Sequence, residues 1–295
     1  MDYIIKALAK DGEIRGYAAI TTDLVNELGR IHQVYPTALA ALGRLATAGA
    51  MLGAMLKGEE RLTVQVKGGG PVGRLIVDAD ACGNVRGYIQ NPKVHLPPKQ
   101  PGKLDVGNAV GQDGYLTVIK DLGLKKPYEG SVPLVSGELA DDLAAYFNKS
   151  EQIPSGVGLG VLVNPDGTVK VAGGFIIQTM PGLTDEEITE LEQGMQSVKS
   201  VTEILRRKVS PEGLLEQIYP QRFKFLEKIP VQFRCRCSKE KLAEALISLG
   251  KNELGMLIEE GRAEITCNFC MTKYFFDKDE LIMLLKELNM KEGKE

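Results

Sequence analysis

Four cysteines near the C-terminus constrain this chain more than any other feature. They fall in the stretches Phe233-Arg-Cys-Arg-Cys-Ser238 and Thr266-Cys-Asn-Phe-Cys-Met271, so Cys235 and Cys237 form a C-x-C pair and Cys267 and Cys270 a C-x-x-C pair. Two close pairs separated by a foldable segment can place four thiolates at the corners of a tetrahedron, the geometry of a closed structural zinc site. The same spacing also admits two reduced pairs without a metal, or two small disulfides in a secreted protein. The N-terminus, Met1-Asp-Tyr-Ile-Ile-Lys-Ala7, lacks the basic region, apolar run and cleavage site of a signal peptide, and nothing else suggests secretion.

The segment that carries these cysteines, residues 231–295, is short enough that its core is marginal without a staple. A structural zinc contributes an apparent ~10–16 kcal/mol, which appears as folding energy because the unfolded chain has no formed site. That equals or exceeds the ~5–15 kcal/mol total stability of a typical domain. Loss of the metal is therefore expected to unfold this segment. The ligands are also oxidisable, and a sulfur engaged in a disulfide no longer serves as a ligand. Most four-cysteine zinc sites are purely structural, so spacing alone leaves a redox role open rather than assigned.

The rest of the chain reads as an α+β protein in three parts. Residues 1–182 form a domain of mainly antiparallel sheet with a buried helix, residues 183–230 a helical linker, and residues 231–295 the small zinc-binding domain. A hairpin over Asp2–Ala19 turns at Asp11-Gly12, and Thr22 is placed to cap a helix through Ile31. Thr37–Leu56 is as long as a bilayer span and rich in Ala, Leu and Gly. Arg44 interrupts it and its glycines suit close packing, so it reads as a buried helix rather than a membrane span. Alternation at Leu62, Val64 and Val66 then begins a meander, and Asn164-Pro-Asp-Gly167 marks a later hairpin between strands at Gly156–Val163 and Val169–Gln178. In the linker, Thr184 and Glu187 form a capping box, and Ser210-Pro211 starts a second helix. These helices are short enough to be stable only when docked on a surface.

Other candidates are weak. Gly68-Gly-Gly-Pro71 has no Lys-Ser/Thr after it and no helix start, so it reads as a sheet turn rather than a phosphate cradle. Cys82 is an incidental thiol at a turn. His32 and His95 are the only histidines, and neither is near a nucleophile and an acid in sequence, which disfavours a hydrolytic triad. Met51, Leu52, Met55 and Leu56 suit core packing better than an exposed binding surface. With 36 basic and 39 acidic residues, a net charge of −3, the chain has no basic footprint for nucleic acid. No catalytic residue is assigned, and the protein is expected not to be an enzyme.

The motifs resemble one family throughout the chain. C-R-C-S-K-E at 235–240 and C-N-F-C at 267–270 are similar to the 33 kDa chaperonin family of redox-regulated holdase chaperones. So are Met51-Leu-Gly-Ala-Met-Leu-Lys-Gly58, Gly68-Gly-Gly-Pro-Val-Gly73, Asp121-Leu-Gly123 and Ala172-Gly-Gly-Phe-Ile-Ile-Gln178. The resemblance implies that Cys235, Cys237, Cys267 and Cys270 hold one zinc ion per chain in a reduced, inactive form. It further implies that heat and an oxidant such as peroxide or hypochlorite join Cys235 to Cys237 and Cys267 to Cys270, with loss of zinc, unfolding of the linker and dimerisation. Such a protein holds unfolding clients without ATP, in the cytoplasm, with no role for nucleic acid or membrane. Two rivals remain at this stage. A zinc-ribbon binding module wants a basic face, yet residues 231–295 carry 11 Lys/Arg against 12 Asp/Glu. A thiol oxidoreductase using Cys267 and Cys270 wants a thioredoxin-like βαβ setting that the pattern lacks.

Overall fold

Alternating apolar residues at the N-terminus pair as expected: β1 (Tyr3–Ala9) and β2 (Ile14–Ile20) form an antiparallel hairpin with Tyr3 opposite Ile20. The computed structural model describes residues 1–100 and 102–292, and the chain divides into two units, Met1–Arg234 and Cys235–Glu295. After the hairpin comes α1 (Thr22–His32), whose N-cap is Thr21 rather than Thr22. Neither hydroxyl caps the helix. Thr21 Oγ1 lies 2.6 Å from Thr47 Oγ1, and Thr22 Oγ1 accepts the Ala172 amide at 3.0 Å. The cap comes from far along the chain instead, where the Asp2 carboxylate accepts the Leu24 amide at 2.7 Å.

Helix α2 (Pro36–Ala54) is the axis of the first unit. It is long and apolar enough to cross a membrane, but 94% of its apolar window is buried inside the protein. Arg44, its one charge, pairs with Glu138 at 2.6 Å. Small residues let it approach the sheet closely: a β-carbon at Gly53 would lie 2.7 Å from the Asp80 carbonyl oxygen.

The meander follows as β3 (Arg61–Lys67), β4 (Arg74–Asp80) and β5 (Asn84–Ile89). A short turn of helix, α3 (Val106–Val110), packs against the glycine run, with the Gly70 amide donating to the Val110 carbonyl at 2.9 Å. β6 (Tyr115–Asp121) pairs with β3, and β7 (Tyr128–Pro133) with β6. Then α4 (Ala140–Tyr146) leads through a π turn at Phe147–Glu151 into the hairpin of β8 (Ser155–Val163) and β9 (Val169–Thr179). Buried Asp142 holds the entry to α4 by accepting the amides of Val135, Ser136 and Leu139.

Three helices cross one face of the first sheet: α5 (Asp185–Ser197), α6 (Val201–Arg206) and α7 (Pro211–Ile218). The capping box on α5 forms as expected, with the Glu187 amide donating to Thr184 Oγ1 at 3.3 Å and the Thr184 amide to Glu187 Oε2 at 3.0 Å. Ser210 caps α7 through the Gly213 amide at 3.1 Å. The helices bury Leu191, Leu205, Leu214, Leu215 and Ile218 against Ile5, Ala18, Phe175 and Ile177 of the sheet. The stretch after Pro220 is a strand, β10 (Lys224–Pro230), which pairs antiparallel with β1. Most of its side chains are exposed, so it shows no alternation; the open edge of β1 imposes the strand. β11 (Gln232–Phe233) then runs parallel to β5, which keeps the chain in the first unit through Arg234.

The sheet orders are β10-β1-β2-β9-β8 and β11-β5-β4-β3-β6-β7, with α2 touching β8 and β9 of one and β4 and β5 of the other. Apart from the β11–β5 pairing the strands are antiparallel, and the fold class is α+β. The second unit contains α8 (Lys239–Ile247), α9 (Lys251–Glu260), β12 (Arg262–Thr266), β13 (Lys273–Asp277) and α10 (Lys278–Glu292). Its buried core is small: Leu246, Leu254, Ala263, Phe276 and Leu281.

Burial pushes the Asp2 carboxyl up to about 6, although the amides of Leu24 and Asp23 pull it down. The folded state therefore keeps this proton to higher pH than the unfolded chain. The contribution to stability is fully present below about pH 4 and is lost as the pH rises through about 6. Asp2→Asn, which keeps an acceptor for the Leu24 amide, is expected to abolish this dependence. Denaturant unfolding of the two proteins should then differ by roughly 2–3 kcal/mol at pH 8 in favour of the variant, and by little at pH 4. Parallel pH profiles would show that the Asp2 carboxyl is not the source.

Candidate metal centre

The antiparallel pairing of β12 and β13, with Thr266 opposite Lys273, forces a tight turn that carries Cys267 and Cys270. Within it the Cys267 amide donates to the Thr272 carbonyl at 2.9 Å and the Met271 amide to the Cys267 carbonyl at 2.8 Å. Met271 takes a left-handed φ of 58°, which turns the chain back into β13. Cys235 and Cys237 lie in an extended stretch that ends where Ser238 caps α8, accepting the Lys241 amide at 3.4 Å. The Lys241 ammonium also donates to the Arg236 carbonyl at 2.9 Å, fixing the residue between the two cysteines.

These two pieces of backbone bring all four sulfurs within 4.8 Å of one another. Cys235 Sγ lies 3.7 Å from Cys267 Sγ, and Cys237 Sγ lies 3.3 Å from Cys270 Sγ. A tetrahedral zinc with Zn–S bonds of ~2.3 Å places its sulfurs ~3.8 Å apart. The four thiols fit that ion in type, number and spacing. When bound, zinc supplies positive charge that lets all four sulfurs exist as thiolates side by side.

Without that charge the thiols resist ionising together. Burial pushes the Cys237 thiol up to about 12, reinforced by the surrounding thiols of Cys270, Cys235 and Cys267, while the Tyr274 hydroxyl pulls the other way. Burial also raises Cys267. At Cys270 burial is outweighed by contacts with the Thr272 hydroxyl and amide and with the Cys237 and Cys267 sulfurs, and the thiol comes down to about 7. Tyr274, whose hydroxyl lies 3.2 Å from Cys237 Sγ, is itself pushed up to about 12 by that hydrogen bond. Thr272 and Tyr274 are neighbours of the site that the cysteine pattern did not single out. The alternation of Thr272, Tyr274 and Phe276 along the strand leaving the turn is the signal that points to them.

The other singled-out residues belong to the first unit. Cys82 is exposed, with its amide donating to the Asp80 carboxylate at 2.9 Å. His32 is buried with Nε2 3.0 Å from the Gly87 carbonyl, and His95 Nδ1 lies 2.9 Å from Thr37 Oγ1. Met51 and Leu52 are fully buried core residues.

The sequence profile of the family described as Hsp33 protein matches residues 2–277. The chain belongs to the Hsp33 family. The 33 kDa chaperonin of Geobacillus kaustophilus is 55% identical over 99% of each chain. The 33 kDa chaperonin of Bacillus subtilis is 53% identical over 95% of this chain and 97% of its own. The crystal structure of the 33 kDa chaperonin (heat shock protein 33 homologue) from Thermotoga maritima matches with a TM-score of 0.89 at 38% identity, covering 97% of this chain and 98% of that one. These names point to a chaperone rather than an enzyme, and the cysteine cluster of this Hsp33 chain can hold a metal ion.

The Hsp33 chain purified under reducing conditions is expected to carry one zinc, read by elemental analysis, and Cys267→Ser to carry much less. Tyr274→Phe removes only a neighbour of the ligands. It should keep the metal but yield it about 10-fold more readily to a chromophoric chelator. Equal zinc content in Cys267→Ser and the parent would exclude this cluster as the site.

Proposed function

We propose that this chain is a redox-regulated, ATP-independent holdase. In the reduced form Cys235, Cys237, Cys267 and Cys270 hold one zinc ion and the protein is inactive. The convergence of four sulfurs within 4.8 Å, in a unit with so small a core, carries this reading. Each close pair of thiolates can give two electrons to hydrogen peroxide, whose O–O bond breaks to leave two hydroxide ions, protonated to water by the solvent, while an S–S bond forms. Cys235 joins Cys237 and Cys267 joins Cys270, the pairing the family resemblance implies. Once in disulfides these sulfurs no longer serve as ligands, and the domain loses the interaction that completes its fold.

The linker over residues 183–230 responds to that loss and exposes apolar surface that it covers at rest. Its helices are short, and their stability comes from Leu191, Leu205, Leu214, Leu215 and Ile218 packed on the sheet. The active form dimerises and binds unfolding proteins in the cytoplasm, and neither nucleic acid nor membrane takes part. A zinc-ribbon module has less support, since residues 231–295 carry no basic excess.

Peroxide at raised temperature is expected to release one zinc as four thiols disappear. Suppression of client aggregation, followed by light scattering without nucleotide, should rise over the same interval and reverse with a dithiol. Suppression that rises while zinc and thiols stay in place would refute the switch. Leu214→Ala is expected to remove roughly 2–5 kcal/mol of helix docking and to lower the temperature at which peroxide activates the chain. An unchanged activation temperature would separate the docking of these helices from the switch.

A further inference from the structure

The first sheet ends on β8, which has β9 as its one neighbouring strand. Among the described residues, no main-chain hydrogen bond joins Gly156–Leu162 to anything outside that hairpin. A cleft of about 1030 Å³ runs along this strand, and every residue from Gly156 to Val163 lines it. Successive residues of a strand face opposite sides, so a wall built from all of them is the rim of the strand and not one of its faces. An open rim presents unpaired N–H and C=O groups, which is a template for another extended chain.

The surroundings say what kind of chain fits. The cleft is bordered by three cations, Arg44, Lys103 and Lys199, and three anions, Glu138, Asp141 and Glu192. A wall with no net sign does not select a charged sequence. Arg44 and Glu138 pair with each other at 2.6 Å, so they add no net charge to the wall. Recognition here is main-chain in character, flanked by apolar residues such as Leu104, Leu159 and Val198. An unfolded protein offers those features along its whole length.

One face of the strand is also covered, and Glu192, Met195 and Thr202 of the covering segment line the cleft beside the rim. A β-carbon at Gly156 would come 2.1 Å from Met195 Sδ, and one at Gly160 would come 2.7 Å from Thr202 Cγ2. The α5–α6 region therefore rests on the glycine side of the same strand, which only residues without a side chain permit.

We propose that the outer rim of β8 is the docking strand for an extended segment of a client polypeptide. The client adds to the five-stranded sheet through main-chain hydrogen bonds, by β-augmentation. The helices α5 and α6 restrict this site at rest, and their release opens it. This deepens the holdase reading and rests on it, since it names the surface that a holdase would use.

Hydrogen exchange of the full chain, with reduced and carboxymethylated α-lactalbumin as a permanently unfolded probe, tests the assignment. In the peroxide-activated form the probe is expected to slow amides in 155–163 by at least ~10-fold while those of 128–133, the edge strand β7 of the other sheet, stay unchanged. The reduced form with the same probe should show no such protection. Client aggregation is measured in parallel. Suppression of aggregation without protection at 155–163 would overturn the rim as the docking site and leave the holdase reading standing. Protection in the activated chain alone, growing with its own concentration, would give the rim to a second copy and overturn the client assignment. Neither suppression nor protection would remove both readings.

Discussion

Four thiols that approach within 4.8 Å set the terms for the second unit. Placing several ionised sulfurs side by side in a partly buried turn is unfavourable, and burial and mutual proximity already hold the Cys237 proton to about pH 12. A divalent cation bound there would reverse the sign of that interaction. Among the described residues the apolar cluster beside it has five buried members, with partly buried ones such as Leu242, Leu257 and Leu285 packed on them. On the reading proposed above, the stability of the unit would depend on the chemical state of its sulfurs as well as on its apolar contacts.

The first unit is built on the opposite principle. Its core gathers around α2, fixed from both sheets by aliphatic packing that no redox event touches. Between these extremes lie α5 to α7, whose hold on the sheet comes from a separate apolar cluster of modest size. These helices thus pack in a cluster separate from the main core around α2. A surface concealed by a cover of intermediate stability can be exposed without loss of the scaffold that bears it.

Much of this was legible in the residues because it is local. The box at Thr184/Glu187 and the cap at Ser210 each satisfy backbone groups within one helical turn, and both form. The cysteines were readable as a set because close pairs leave the turn between them little freedom. What escaped depends on distant partners. β10 has no alternation of its own and exists because β1 offers an edge. α1 is capped by Asp2 and not by its adjacent threonines, whose hydroxyls are taken up by Thr47 and Ala172. Tyr274 meets the Cys237 sulfur only once the hairpin turns. In each case tertiary structure supplied a partner that sequence proximity does not reveal.

The pairing of β10 with β1 has a topological consequence. The helices between Thr179 and Lys224 begin at the end of one strand and finish at the start of another, and both strands belong to the same sheet. With those strands in place, the segment is a loop tied at both ends. Detaching its helices cannot release them into free solution, because the ends stay anchored. Holding the two ends together costs an entropy that grows only with the logarithm of the loop's length, so the tether trims what melting gains and makes recapture an intramolecular event. A cover built in this way is a leash as well as a lid, and its return to the sheet requires no search for a lost partner.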